Sequence, residues 1–137
     1  MTRVIDASVA LKWYLPEPDS PVALNLLTSD ESLVAPDLIV PEICRAVWKA
    51  WKRQEITADQ AASIARNVGR RFVTTLSPTT LLAYRATALS AELDHSTYDC
   101  FYLALAEREG THVLTADHKL LRKIAATRYA SLARPLV

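Results

Sequence analysis

The sequence predicts an α/β domain, a parallel sheet with helices on both faces. Three observations predict it. Short apolar runs alternate along the whole chain with longer stretches whose apolar residues recur at helical intervals. Two of the short runs, "VIDAS" and "VLTADH", end on an aspartate, and in open parallel sheets the carboxyl ends of strands are where ligands bind. The chain of 137 residues is half hydrophobic and 23% charged, enough to bury the core of one domain spanning residues 1–137.

"RVID" reads as the first strand, and Ser8 is placed to cap the helix "VALKWYL", which stops at Pro16. A second helix covers "DSPVALNLLTS", with Ser20 as N-cap and Pro21 at the first helical position. "SLVAP" is a short strand. "LIVPEICRAVWKAWKRQ" places Ile43, Val47 and Trp51 on one apolar stripe with Cys44 and Trp48 beside it. "TADQAASIARNVGRR" opens with a T-x-x-Q capping box. "FVTTL" is the next strand, followed by a helix starting at Ser77 and Pro78. "STYDCFYLALAEREG" is a helix closed by Gly110, "THVLTAD" a strand, "HKLLRKIAA" a helix, and "YASLARPLV" a last edge strand.

The composition excludes several functions. The net charge is +1, so the protein is no polycation, although "WKAWKRQ", "RNVGRR" and "HKLLRKIAATR" are locally basic and able to guide nucleic acid. Cys44 and Cys100 lie far apart among apolar helical neighbours, which predicts buried free thiols. His95, His112 and His118 lack ligand spacing, which speaks against zinc. Two glycines, Gly69 and Gly110, are too few and wrongly placed for a P-loop or a dinucleotide turn. No apolar run reaches the length of a membrane span, and the N-terminal residues lack a secretory h-region, so a cytoplasmic protein without membrane contact is expected.

Four carboxylates stand out. Asp6 and Asp117 end apolar strands, where each alone also fits an Asx turn or a helix cap. Asp99 sits in "TYDCFYLALA", three residues after Ser96, and fits both a capping box and a buried acid in need of a cation or donor. Glu42 opens an amphipathic helix, on the face opposite Ile43, in line with Arg45 and Lys49. Glu17, Asp19, Asp30, Glu31, Glu55, Asp59, Glu107 and Glu109 read as solvated acids. If the four special acids converge, their repulsion calls for a divalent cation. Oxygen donors without His or Cys specify a hard ion, Mg²⁺ or Mn²⁺, and such a site suits hydrolysis of a phosphodiester.

"VIDASVALKWYL", "PEICRAVW", "YDCFYLALA" and "LTADHKLL", in this order, resemble the PIN-domain ribonucleases and, more closely, the VapC toxins of bacterial toxin–antitoxin pairs. The resemblance spans essentially the whole chain. It implies a three-layer α/β/α sandwich with a central parallel sheet and a Mg²⁺- or Mn²⁺-dependent endoribonuclease acting on RNA. Asp6, Glu42, Asp99 and Asp117 match the acidic quartet that holds metal, with Ser8 and Thr115 as supporting hydroxyls. It also implies a homodimer and a small VapB-like antitoxin partner, with Trp13 and Trp48 candidates for partner contact and Trp51 for the core. One position departs from the pattern: Arg45 stands where many members carry Asn, able to pair with Glu42 or to contact phosphate. His118, beside Asp117, reads as a surface histidine. Alternatives remain open here: a PIN nuclease of RNA processing or repair without an antitoxin, or a binding module that does not cleave. A haloacid dehalogenase phosphatase fits poorly, because Ser8 stands where that family needs a second Asp.

Overall fold

The computed structural model describes residues 1–71 and 74–137. Five strands form one sheet: β1 Thr2–Ile5, β2 Ser32–Pro36, β3 Thr75–Ser77, β4 Val113–Thr115 and β5 Ala133–Pro135. Every pairing is parallel, in the order β3-β2-β1-β4-β5. The helices are α1 Ala7–Ala10, α2 Ser20–Asn25, α3 Ile39–Lys52, α4 Ala58–Arg71, α5 Ala83–Leu93, α6 Thr97–Glu109 and α7 His118–Ile124. Strand order runs outward from β1 to β3 and then jumps back past β1 to β4. Right-handed crossovers therefore put the helices of the two halves on opposite faces, which is the expected three-layer sandwich.

The buried residues explain the layering. Val4 and Ile5 of β1 are fully buried, as expected of the central strand of a parallel sheet covered on both faces. Helix α6 lies across β1, β2 and β4 and buries Cys100, Tyr102, Leu103, Ala104, Leu105 and Ala106, so nearly its whole circumference past the first turn is apolar. Helix α3 is amphipathic and buries Ile39, Ile43, Val47 and Ala50.

Local signals explain most element boundaries. The capping box at α4 forms as expected, with Thr57 N–H donating to Gln60 Oε1 at 2.8 Å and Gln60 N–H to Thr57 Oγ1 at 3.1 Å. Gly110 closes α6 in the left-handed conformation at φ 65°. Other expectations shift. Asp19, not Ser20, takes the N-cap position of α2. Ser77 and Pro78 do not start a helix: Ser77 ends β3, and a 3₁₀ turn at Thr79–Leu81 precedes α5. Of the strand expected over 72–76, Phe72 and Val73 lie outside the described residues. Cys100 is buried as a free thiol, whereas Cys44 is only half-buried.

Two of the three tryptophan assignments change, those of Trp51 and Trp13. Trp51 is 46% exposed, because the buried stripe of α3 runs through Ala50 and leaves Trp48 and Trp51 on its flank. Trp13, expected to face a partner, packs partly buried on the core, and its indole N–H donates to Ala23 O at 2.8 Å. Several acids read as solvated also form ion pairs, Glu17 and Glu107 while exposed as expected. Lys12 is buried, and its ammonium lies 2.7 Å from both Glu17 and Asp19. Glu31 pairs with Arg3, and Glu107 with Arg85. The aliphatic stem of Lys12 lies under the chain while its charge needs partners, and the acids of the following loop supply them.

The fully buried Leu103 and the largely exposed Leu81 give a test of where the core lies. Leu103→Ala is expected to lower stability by about 3 kcal/mol and Tm by about 10 °C, with Leu81→Ala near neutral. Urea denaturation of both variants checks this.

Candidate active site

Strand β1 ends just before Asp6, whose N–H continues the sheet by donating to Leu114 O at 3.1 Å. Asp6 is only 7% exposed, and a carboxylate so enclosed needs donors. Three reach it. Ala7 N–H donates to Oδ1 at 2.9 Å, and the Ser8 and Thr115 hydroxyls each donate to Oδ2 at 2.7 Å. Asp6 is thus the N-cap of α1, the place expected of Ser8, because its carboxylate stands in extended backbone one residue ahead of the helix. Ser8 lies inside the first turn, and its hydroxyl accepts from Ala116 N–H at 3.0 Å. Thr115 in turn accepts from Asp117 N–H at 2.9 Å. Together Asp6, Ser8 and Thr115 join the β1–α1 turn to the β4–α7 turn, at the point where the strand order reverses.

The other three acids are each held separately. Glu42, in the first turn of α3, accepts at Oε1 from the Tyr102 hydroxyl at 2.6 Å. Among the described residues it forms no ion pair with Arg45. Asp99, in the first turn of α6, lies with Oδ2 2.7 Å from His95 Nε2. The expected capping box is not made: Ser96 occupies the N-cap position without a side-chain bond, and His95, one turn before Asp99, takes the carboxylate. Asp117 caps α7 by accepting from Lys119 N–H at 2.9 Å, and the neighbouring His118 is exposed.

Like charge links the four. Burial raises the Asp6 carboxyl above the usual range, the Ser8 and Thr115 hydroxyls oppose this, and Asp99 adds to it. Burial also raises Glu42; its Tyr102 bond opposes, and Asp6 and Asp99 push it further up. For Asp99, burial raises, the His95 contact opposes, and Asp117 raises again. Burial and the charges of Asp6 and Glu42 hold the Tyr102 phenol far above its ordinary value, so it stays a donor. His95 and Tyr102 are the residues that sequence reasoning missed. Their signal was spacing: both lie one helical turn from Asp99, four residues before and three after.

The donor set suits a hard cation: all oxygen, with the Asp6, Glu42 and Asp99 carboxyls pushed upward by enclosure and neighbouring charge, which a divalent ion would relieve. Among the described residues no three acidic, His or Cys side chains converge as a ready-made ligand set. Glu42 and Asp99 are turned toward Tyr102 and His95.

The comparisons with known proteins fall on the same elements. A PIN domain family model matches residues 3–126. The chain belongs to the PIN-domain family. This PIN domain is 30% identical over 128 residues to ribonuclease VapC3 of Pyrobaculum aerophilum, covering 92% of this chain and 97% of that one. Its fold is also similar to the crystal structure of VapBC2 from Rickettsia felis bound to a DNA fragment from their promoter. That match has a TM-score of 0.68 and 14% identity over 98% of each chain. At that identity the likeness speaks for the fold, in agreement with the parallel sheet and its helical layers. No helix among the described residues is long and apolar enough to cross a membrane.

The raised carboxyls carry a pH signature. A folded-state pKa above the unfolded value means that the native form holds more protons, so these acids subtract stability as pH rises through that window. Glu42→Gln keeps an acceptor for Tyr102 and removes one charge. In chelator, its Tm gain over the unsubstituted protein is expected to widen from about pH 4 to about pH 7. Thermal scans across that range check it, and a constant offset would show that Glu42 titrates as in the unfolded chain.

Proposed function

We propose that this PIN domain is a Mg²⁺- or Mn²⁺-dependent endoribonuclease, the toxin of a toxin–antitoxin pair, acting in the cytoplasm. The observation that carries the reading is the enclosed Asp6 carboxylate, set at the strand-order reversal and electrostatically coupled to Glu42 and Asp99. The ribonuclease name of the VapC3 relative supports the reaction class.

Asp6 and Asp99 are the residues that would hold the metal, with Glu42 and Asp117 completing the acidic edge. A bound divalent ion supplies a Lewis acid for the phosphate and lowers the pKa of a water. The chain's own part is preorganisation. Ser8 and Thr115 fix the Asp6 carboxylate by two donated hydrogen bonds, so its orientation is set before substrate arrives. Tyr102 and His95 store Glu42 and Asp99 as hydrogen-bonded carboxylates. Released from these partners, Glu42 and Asp99 would be free to meet a bound cation, and Glu42 or Asp117 would serve as the acceptor of a proton from the attacking water.

The partners proposed are RNA, a small VapB-like antitoxin and a second copy of the chain. The antitoxin reading is supported by the VapBC2 neighbour and by an open apolar groove between α3 and α4, lined by Val47, Trp48, Trp51, Ala58 and Ala61. The homodimer reading is supported by the α5 face around Tyr84, which is 90% exposed and flanked by Ala88 and Ala91.

RNA cleavage by the purified chain, freed of any partner, tests the function. Cleavage should require Mg²⁺ or Mn²⁺, stop with EDTA and fall about a hundredfold or more in Asp6→Ala. Activity that survives the substitution would refute the assignment of the site. Metal binding has its own readout: Mg²⁺ or Mn²⁺ should raise the Tm of the unsubstituted protein, and Asp99→Asn should shrink the rise. An equal rise in both would place the ion elsewhere.

A further inference from the structure

Beside the acidic edge lies a cleft of about 160 Å³, lined by Glu42, Arg45, Ala46 and Lys49 of α3 and by Tyr98 of α6. Three features of its walls call for explanation. Tyr98 directly precedes Asp99 yet is 61% exposed, although the other large apolar side chains of α6 turn inward. Arg45 and Lys49, like most Lys and Arg side chains among the described residues, form no ion pair, and here both face the same cleft. Glu42, which shares the cleft, does not pair with them and accepts at Oε1 from the Tyr102 hydroxyl. Lys49 lies one turn beyond Arg45 and two turns beyond Glu42, so all three point along one side of α3.

A row of unpaired cations, an exposed flat ring and a carboxylate at the end of the same cleft form the chemistry that holds single-stranded nucleic acid. Cations take phosphates, and aromatic faces take unstacked bases. We propose that this cleft is the subsite for the nucleotide next to the scissile phosphate, with Arg45 and Lys49 on the flanking phosphates and Tyr98 stacked on the base. The inference rests on the ribonuclease reading and extends it to substrate class. The ring reaches only a base that has left its helix, so the site selects single-stranded or looped RNA over duplex. Stacking asks nothing of the Tyr98 hydroxyl. Arg45, at the position where the family pattern varies, acts toward the phosphate and not toward Glu42.

The test is fluorescence anisotropy of a labelled twelve-nucleotide single-stranded RNA of mixed sequence, and of its duplex, with the full chain. Calcium replaces magnesium, and a gel confirms that the probe stays intact. Tyr98→Ala should weaken binding about tenfold while Tyr98→Phe retains it. Arg45→Ala with Lys49→Ala should weaken binding and reduce the salt dependence by about 0.7 in logarithmic slope for each cation removed. The duplex should bind more weakly and be indifferent to Tyr98→Ala. Thermal scans confirm that each variant is folded. No binding by the unsubstituted chain, or affinities untouched by these substitutions, would overturn the subsite and leave the cleft to a protein partner. The two readings fail separately. The binding pattern in a chain that cleaves nothing would refute the nuclease and keep the subsite. Cleavage with a KM unmoved by Tyr98→Ala would do the reverse.

Discussion

The structure turns on one buried carboxylate. Asp6 stands at the end of the central strand, almost sealed from water, and two hydroxyls from opposite ends of the chain donate to the same oxygen of it. Burial disfavours its charge, and the hydroxyls and the Ala7 N–H restore part of what burial takes away. The remaining acids are arranged around that compromise. Each is close enough to raise a neighbour's pKa, and each is given a partner of its own, a phenol, an imidazole or a backbone amide. The acidic edge is therefore a group of like charges held apart, not a relaxed cluster.

Much of this was legible in the sequence because it is written in periodicity and in residue type. Alternating strand and helix patterns gave the parallel sheet, and "VIDAS" and "VLTADH" marked the edge on which Asp6 and Asp117 stand. What was not legible depends on side-chain direction. Trp51 follows the helical repeat of Ile43 and Val47, yet the stripe drifts and Ala50 takes the inward place. The capping motif at Ser96 and Asp99 was a plausible local solution, overridden because His95 offers a partner of nearby sequence but different geometry. Local rules rank the options, and tertiary neighbours choose among them.

The charged residues show the same limit. Glu17 and Asp19 sit in a proline-containing stretch and read as loop acids, but the helical turn before them buries a lysine. No count of charges reveals that Lys12 is inside. Conversely, Arg45 and Lys49 look like ordinary solvated helix residues, and it is their place in one cleft with Glu42 and Tyr98 that makes them informative. In both cases the meaning of a charge came from what stood beside it.

The order of the strands has a consequence for when the protein comes into being. Strand β1 is made first and lies at the centre of the sheet, but its neighbour on one side, β4, is made more than a hundred residues later. Until β4 docks, Thr115 is missing from Asp6 and Asp117 from the edge. An emerging chain can pair β1 with β2 and cover them with helices while its acidic edge is still incomplete. Whatever chemistry those carboxylates perform is thus tied to a late long-range closure of the fold. A fragment that stops before β4 carries Asp6, Glu42 and Asp99 but lacks the Thr115 hydroxyl that fixes Asp6 and the carboxylate of Asp117, so synthesis itself acts as a delay on the site.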